Sequence, residues 1–390
     1  MKLRIPICFP GYSLMKHISC LLLTLCFISV VQAQKFAIIS DIHGATTDTY
    51  EVSLLVKSWE PEFIITAGDN HYGTYSTIDN QVGQFYSDFI YPYTGAFGTG
   101  DTVNRFFPSL GNHDYDSTGF FYYLQYFQLP GNERYYDFVR GNVHFFAVNC
   151  NYAEPDGNTA TSLQADWLRS RLAASTSHFN VVYFHFPPYS SSHHGSTPFM
   201  QWPFKQWGAS MVFSGHDHDY ERLLVDSFPY IVCGLGGGPL YNVYDSLPGS
   251  LFHNCSYHGA LLANANADSL VFEFRTSFDS LIESYTIYKL LHTPNLDGGY
   301  SLIDAQLFQN YPNPASDATT IKFSLPHQGS VVLNLYNLYG QIIQKYTGNF
   351  LSAGFHQIDW NTNTLDQGVY FFSLQFENKT FNIKTMVLHH

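Results

Sequence analysis

Five short segments carry side chains able to ligate metal ions: Asp41-Ile42-His43, Gly68-Asp69-Asn70-His71-Tyr72, Gly111-Asn112-His113-Asp114, the lone His185, and Gly215-His216-Asp217-His218. Carboxylate, phenolate, amide oxygen and imidazole suit hard or borderline cations such as iron, manganese or zinc, and the lack of thiolates disfavours soft metals. Taken singly, each segment reads as an ordinary turn. In combination and in this order they point to a site for two cations. A carboxylate shared between ions about 3.5–4 Å apart lets them clamp a phosphoryl group and convert water to hydroxide near neutral pH. Asp69, central in the order and flanked by glycine-permitted turns, is the natural bridge.

Such groups must be aimed by something rigid, and each segment follows a short apolar run. Phe36–Ser40, Phe63–Ala67, Phe106–Leu110, Val181–Phe184 and Met211–Ser214 read as buried strands with functional loops at their ends. Helical sequence lies between them. The clearest helix is Ser162–Ala173, with Leu163, Trp167, Leu168 and Leu172 on one face and Thr161 and Gln164 at capping-box spacing. Alternating strands and helices predict a layered α/β domain over residues 35–290. A linker is expected over 291–306, where His-Thr-Pro-Asn and Asp-Gly-Gly interrupt the pattern. Across 307–390, Val331–Tyr336, Gln341–Tyr346, His356–Trp360 and Gly368–Phe376 alternate apolar and polar residues, which predicts an Ig-like β-sandwich.

Of 390 residues, 45% are apolar and 17% aromatic but only 13% charged, a balance that favours a large, β-rich core over disorder. The net charge of −13 argues against a nucleic-acid partner, since nothing would displace counterions from a phosphate backbone. Lys16 and His17 precede an apolar run from Leu21 to Val31, and Val31-Gln32-Ala33 supplies small residues for cleavage, so residues 1–33 read as a signal peptide. That run is too short for a stable membrane span. Cys150, Cys233 and Cys255 would remain, either with a Cys233–Cys255 disulfide or as three buried thiols.

The five blocks, the fourth extended to Val182-Tyr183-Phe184-His185, resemble the calcineurin-like metallophosphoesterases over about Lys35 to Tyr288. Tyr72, three residues after Asp69, makes them similar to the purple acid phosphatases, most closely the small tartrate-resistant type. The resemblance implies two β-sheets flanked by helices, and a secreted dinuclear-metal phosphatase cleaving small phosphomonoesters by metal-hydroxide attack on phosphorus. Carried over by position, one ion, Fe(III), would take Asp41, Asp69, Tyr72 and His218. The other, Fe(II), Zn or Mn, would take Asp69, Asn112, His185 and His216. His113 would touch the phosphate and assist the leaving alcohol, with Asp114 orienting its ring; His193 and His194 match a substrate-facing pair. His43 departs from the purple acid phosphatase pattern. Superfamily members that lack the tyrosine use that histidine as a ligand, so either His43 or Tyr72 supplies the extra donor.

Other features read more plainly. His71 is expected to support ligands, Tyr220-Glu221-Arg222 to form a local salt bridge, and Gly234–Gly238 to pack tightly near the site. A phosphodiesterase or nucleotidase on the same scaffold is the alternative activity, and a non-catalytic surface-binding protein the remote one. Near the C-terminus, Phe308-Gln309-Asn310-Tyr311-Pro312-Asn313-Pro314, Leu335-Tyr336-Asn337-Leu338-Tyr339-Gly340-Gln341 and Gly368-Val369-Tyr370-Phe371 resemble the type A sorting domain of the type IX secretion system. That implies the type IX machinery as partner, with export through periplasm and outer membrane to the cell surface or medium.

Overall fold

Three strands that end in the ligand-bearing segments lie side by side: β1 (Gln34–Ile39), β2 (Phe63–Thr66) and β3 (Phe106–Pro108) pair in parallel. The computed structural model describes residues 34–73, 78–115, 119–243, 245–289, 305–326, 329–351 and 354–388. The expected signal peptide, nearly all of the expected linker, and His389-His390 lie outside the described residues.

A second sheet is built from β4 (Tyr136–Arg140), β5 (Val143–Ala147), β6 (Phe179–Tyr183), β7 (Met211–Ser214), β8 (Tyr220–Val225), β9 (Phe228–Cys233) and β10 (Ser250–Asn254). The chain then returns to the first sheet with β11 (Gly259–Ala265), β12 (Ser269–Thr276) and β13 (Leu281–Tyr288). The orders are β13-β12-β11-β1-β2-β3 and β10-β8-β9-β7-β6-β5-β4. Within the second sheet β5, β6 and β7 are parallel, so the loops after them leave from one end.

The high aromatic content goes into the interface between these sheets. Phe36 and Phe63 meet Phe145 at 5.1 and 5.3 Å, Phe107 stacks on Phe138 at 3.9 Å, and Phe213 meets Phe272 at 5.0 Å. Burial of such rings is the main stabilising term here. The short strand β3 lies at the sheet edge, and its unpaired carbonyls would be costly to bury. Tyrosine hydroxyls satisfy them: Tyr123 and Tyr136 donate to Pro108 O at 2.8 Å, and Tyr183 donates to Phe107 O at 3.2 Å.

Among the described residues the helices include α1 (Thr47–Ser58), α2 (Gly119–Tyr126), α3 (Leu163–Ala174) and the short α4 (Phe204–Trp207), and a further helical stretch runs through Asp79–Gly83, Gln84–Tyr86 and Ser87–Phe89. In α3 the cap differs from the expectation. Ser162, not Thr161, caps it by accepting from Ala165 N at 3.2 Å. Leu163 is exposed, and Gln164 is buried in its place. Gln164 has a structural reason to be inside, because its amide accepts from Asn149 N at 2.7 Å and donates to Asn149 O at 2.9 Å.

The remaining strands form two sheets of their own. They are β14 (Gln306–Leu307), β15 (Ala318–Leu325), β16 (Gly329–Tyr336), β17 (Ile342–Leu351), β18 (Gly354–Asn361), β19 (Gly368–Phe376) and β20 (Lys379–Val387). The orders β14-β15-β18 and β17-β16-β19-β20, around a core that includes Ile321, Phe323, Leu333, Phe372 and Leu374, make a β-sandwich. All three described cysteines are free, so no Cys233–Cys255 disulfide forms. No helix among the described residues is long and apolar enough to cross a membrane.

Candidate metal centre

Each parallel strand delivers its ligand candidates by a sharp turn immediately past its carboxyl end. Asp41, Asp69 and His216 all take positive φ, at 57°, 49° and 71°. L-residues other than glycine rarely adopt this region, and such conformations persist where surrounding structure over-determines them. Here it does. Asp41 N donates to Gly68 O at 3.1 Å, Ile42 N to Asp69 O at 2.9 Å, and His216 N to Asp41 Oδ2 at 3.0 Å. Gly111 is required by close approach, since a Cβ there would sit 2.1 Å from Asp69 Oδ1.

The donor atoms converge. Asp41, Asp69 and His185 each offer one ligand atom within 4.8 Å of the others. His218 Nε2 lies 3.3 Å from Asp41 Oδ1, His185 Nε2 lies 3.2 Å from Asp69 Oδ2 and 3.1 Å from Asn112 Oδ1, and Tyr72 OH lies 3.3 Å from Asp69 Oδ2. Donors bonded to one ion at about 2.1 Å sit roughly 3 Å apart when at right angles, so these separations fit ligand edges. Asp69 Oδ1 is occupied, accepting from His113 N at 2.8 Å, which leaves Oδ2 facing both donor sets. Asp41 Oδ1 is buried without a hydrogen bond.

The imidazoles are oriented for ligation too. His185 Nδ1 donates to Ala67 O and His218 Nδ1 to Pro239 O, each at 2.9 Å. That fixes the tautomer and turns each Nε2 lone pair toward the carboxylates. His216 lies next to His185, with ring centroids 5.0 Å apart, and His43 lies against Tyr72 at 4.3 Å. Both candidates for the extra ligand are therefore at the site.

Electrostatics expose a demand for positive charge. Burial would raise Asp41, yet His185, His218 and Ser40 together hold its carboxyl at about 2. Burial opposes charge on His185, but Asp69 and Asp41 draw its imidazole up to about 9. Burial and repulsion from His185 and His194 push His216 down to about 2, leaving it neutral. Burial, then Asp41 and Asp69, drive the Tyr72 phenol far above its usual range, so a phenolate there needs cations beside it. Two carboxylates with lone pairs turned between them are what a pair of cations would fit.

Around this centre, some residues depart from expectation. Asp114 was expected to orient His113. Its carboxylate instead accepts from Gly111 N at 2.7 Å, Asn70 Nδ2 at 2.9 Å and His71 Nδ1 at 3.0 Å, binding the second and third segments together. His71 is a fully buried support, and its Nε2 has no hydrogen bond. The His113 ring packs on Tyr72 at 4.1 Å. His193 and His194 stand at the exposed rim, and His194 stacks on His216 at 4.1 Å. The salt bridge expected within Tyr220-Glu221-Arg222 is long-range instead. Arg222 and Tyr220 both bind Glu283, at 2.6 and 2.7 Å, because all three sit on strands. Gly234–Gly238 does pack on the site, where a Cβ at Gly238 would meet the His218 ring at 2.5 Å.

Two contributors escaped the sequence reading. Asp217 accepts from Ser190 Oγ at 2.5 Å and from His194 N at 2.7 Å, and so anchors the loop bearing the rim histidines. Its place inside His-Asp-His was the available signal. Tyr241 stacks on His218 at 4.3 Å and reaches His193 at 5.1 Å, with no local pattern to mark it.

A family model described as calcineurin-like phosphoesterase matches residues 34–220, and one described as a secretion system C-terminal sorting domain matches residues 309–388. Purple acid phosphatase 15 of Arabidopsis thaliana is 26% identical over 221 residues, covering 48% of this chain and 40% of that protein. The chain thus spans less than half the length of that relative. Purple acid phosphatase PPD1 from yellow lupin (Lupinus luteus) seeds superposes with a TM-score of 0.53 at 16% identity, over 66% of this chain and 54% of that one. GAP50, the anchor in the inner membrane complex of Plasmodium, superposes with a TM-score of 0.55 at 17% identity, over 66% of this chain and 90% of that one. At these identities the structural likeness concerns the fold.

Proposed function

We propose that this chain, a purple acid phosphatase-like member of the calcineurin-like phosphoesterases with a secretion sorting tail, is an exported phosphatase that hydrolyses phosphomonoesters at two cations. One cation is held by Asp41, Asp69, Tyr72 and His218, with His43 beside Tyr72. The other is held by Asp69, Asn112, His185 and His216. The observation that carries this reading is the convergence of donor pairs at 3.1–3.3 Å with both Nδ1 protons tied to backbone carbonyls.

Bound there, the cations would neutralise phosphoryl oxygens and supply the attacking water in activated form. The chain's own residues do the rest. His113, held through its backbone by Asp69 and through its ring by Tyr72, faces the substrate with an imidazole N–H for the departing alkoxide. His194, whose backbone N–H is held by Asp217, and His193 beside it offer N–H donors to the phosphate. The sorting tail implies delivery by the type IX secretion machinery, after removal of a signal peptide over residues 1–33.

Metal analysis of the purified protein, with turnover of a monoester panel before and after chelation, tests the reading. Two ions per chain and activity restored by iron, zinc or manganese are expected. Turnover indifferent to chelation, or a diester preferred over every monoester, would overturn it. A purple colour lost in Tyr72→Phe would assign the phenolate to ferric iron; a colourless protein holding only zinc or manganese would remove that assignment.

A further inference from the structure

Tyr72 lies farther along the chain from the end of its strand than any other ligand candidate, so the parallel strands alone aim it least. A side-chain amide adds a constraint there. Gln81 Oε1 accepts from Tyr72 N at 2.8 Å, and Gln81 Nε2 donates to Tyr72 O at 2.7 Å. The two bonds close a ring on one residue, as a neighbouring antiparallel strand would, and hold both backbone groups of Tyr72 at once. Gln81 is 8% exposed, so these bonds are largely shielded from competing water.

The amide is itself held. It projects from a π-helical turn, Asp79–Gly83, in which Gln84 N reaches back to Asp79 O. Such turns recur at functional sites. Asp79 pins this one: its Oδ1 accepts from Tyr93 OH at 2.7 Å and from Tyr126 OH at 2.6 Å, and its Oδ2 from Ala96 N at 2.8 Å. Gln81 also borders the first ligand segment, since a Cβ at Gly44 would lie 3.9 Å from its Cδ. One amide thus stands next to both segments that carry a candidate extra donor, and both of these hydrogen bonds go to Tyr72.

We propose that Gln81 is a positioning residue for the metal centre: it holds the Tyr72 phenol 3.3 Å from Asp69 Oδ2, where the phenol oxygen completes the donor set of the first cation. This rests on the two-cation reading above. A backbone free to shift by about 1 Å would swing the phenol away from the shared carboxylate, and partners that orient ligands set metal affinity by about tenfold to a hundredfold.

The test is competition for zinc between the purified full chain and a chromophoric chelator, with an affinity resolved for each of two ions. Gln81→Met, which fills the space but makes neither hydrogen bond, should weaken one ion about tenfold and leave the other within about twofold. Gln81→Asn, one methylene too short to span both backbone groups, should do the same, and it carries the test if Gln81→Met does not fold. In a Tyr72→Phe background neither substitution should change zinc affinity by more than about twofold, whereas in a His43→Ala background the loss should persist. That coupling separates positioning from general support of the fold, which would weaken zinc in every background. Unchanged zinc affinity in both Gln81 variants, equal losses with and without the Tyr72 hydroxyl, or a loss that vanishes with His43 instead would overturn the proposal. Failure of the two-cation reading has a different signature: the wild-type chain itself takes up fewer than two zinc ions, and the proposal falls with it.

Discussion

Residues 34–289 and residues 305–388 are both built on paired β-sheets, yet they bury opposite kinds of polar group. The first region hides Asp41, Asp69, His71, Asp114, His185, Asp217, His218, Glu221 and Arg222. Among the described residues of the second, the buried polar side chains are all neutral: Asn310, Thr319, Ser324, Asn334, Thr362, Ser373 and Thr385. Burying charge is expensive unless it is paired, bonded or placed against a cation. A fold that needs only stability avoids it, as the second region does. Both regions leave some apolar residues outside, Tyr152, Leu163 and Phe278 in the first and Tyr311, Leu338, Tyr339 and Phe350 in the second, so the difference lies in what is buried. The first region therefore concentrates buried charge at one centre, and the second spreads neutral polar groups through an apolar core.

The sharpest way to break this contrast is at the shared carboxylate. Asp69→Asn keeps the shape and the hydrogen bond from His113 but removes one negative charge from between the two donor sets. Turnover should fall by about a thousandfold or more, consistent with losing several kcal/mol of electrostatic stabilisation. Metal content should fall below two per chain, and melting of the C-terminal β-sandwich should not move. Activity within tenfold of wild type would mean that the buried charges serve stability alone. His113→Ala should cost less, about a hundredfold to a thousandfold in kcat. The loss should shrink for substrates with acidic leaving groups such as p-nitrophenol, which need no proton; an equal loss on all substrates would remove His113 from that role.

The donor set was legible in the sequence for a physical reason. Parallel strands buried on both faces read as plain apolar runs, so polar clusters at their ends stand out. What was not legible depended on partners far along the chain. Nothing near Glu221 or Arg222 announces Ser191 or Glu283, and nothing near Asp114 announces His71 across a separation of 43 residues. The α3 cap was missed for a different reason. Thr161 and Ser162 are both competent caps, and only the buried amide of Gln164 settles which turn begins the helix. In the C-terminal region alternation located β16 and β19 well, because one face of each is solvated.

Asn310 offers the matching test of the second region. Its Nδ2 lies 2.8 Å from Thr319 Oγ1 and 2.8 Å from Thr385 Oγ1, joining the start of the sandwich to β15 and β20. Asn310→Ala would leave both hydroxyls buried with one partner fewer, at a cost of about 1–3 kcal/mol. Thermal unfolding followed by near-UV circular dichroism should show an earlier transition for the sandwich, with turnover per folded molecule unchanged. Loss of specific activity in step with that transition would mean the two regions are not energetically separate.

The smallest effect expected concerns pH and follows from where the ionised groups lie. On the surface of the first region Asp137 accepts from Arg171 at 2.6 Å and from His144 Nε2 at 2.6 Å. Burial alone would raise its carboxyl, but His144 and Arg171 hold it below the usual value of 3.8. A carboxylate whose pKa is depressed by folding adds stability that is complete above its unfolded pKa. That contribution drains away as pH falls through the lower, folded value. Arg171 is half exposed, so solvent screening limits it to about 1 kcal/mol or less. Between about pH 5 and pH 2.5, Asp137→Asn should therefore start with a slightly lower melting temperature than wild type and converge with it as acid is added. The sandwich, whose buried polar groups do not titrate, should show no such convergence for any neutral core substitution. If wild type and Asp137→Asn ran parallel across that range, the pair would carry no linkage, and the acid sensitivity of the first region would have to come from the buried centre itself.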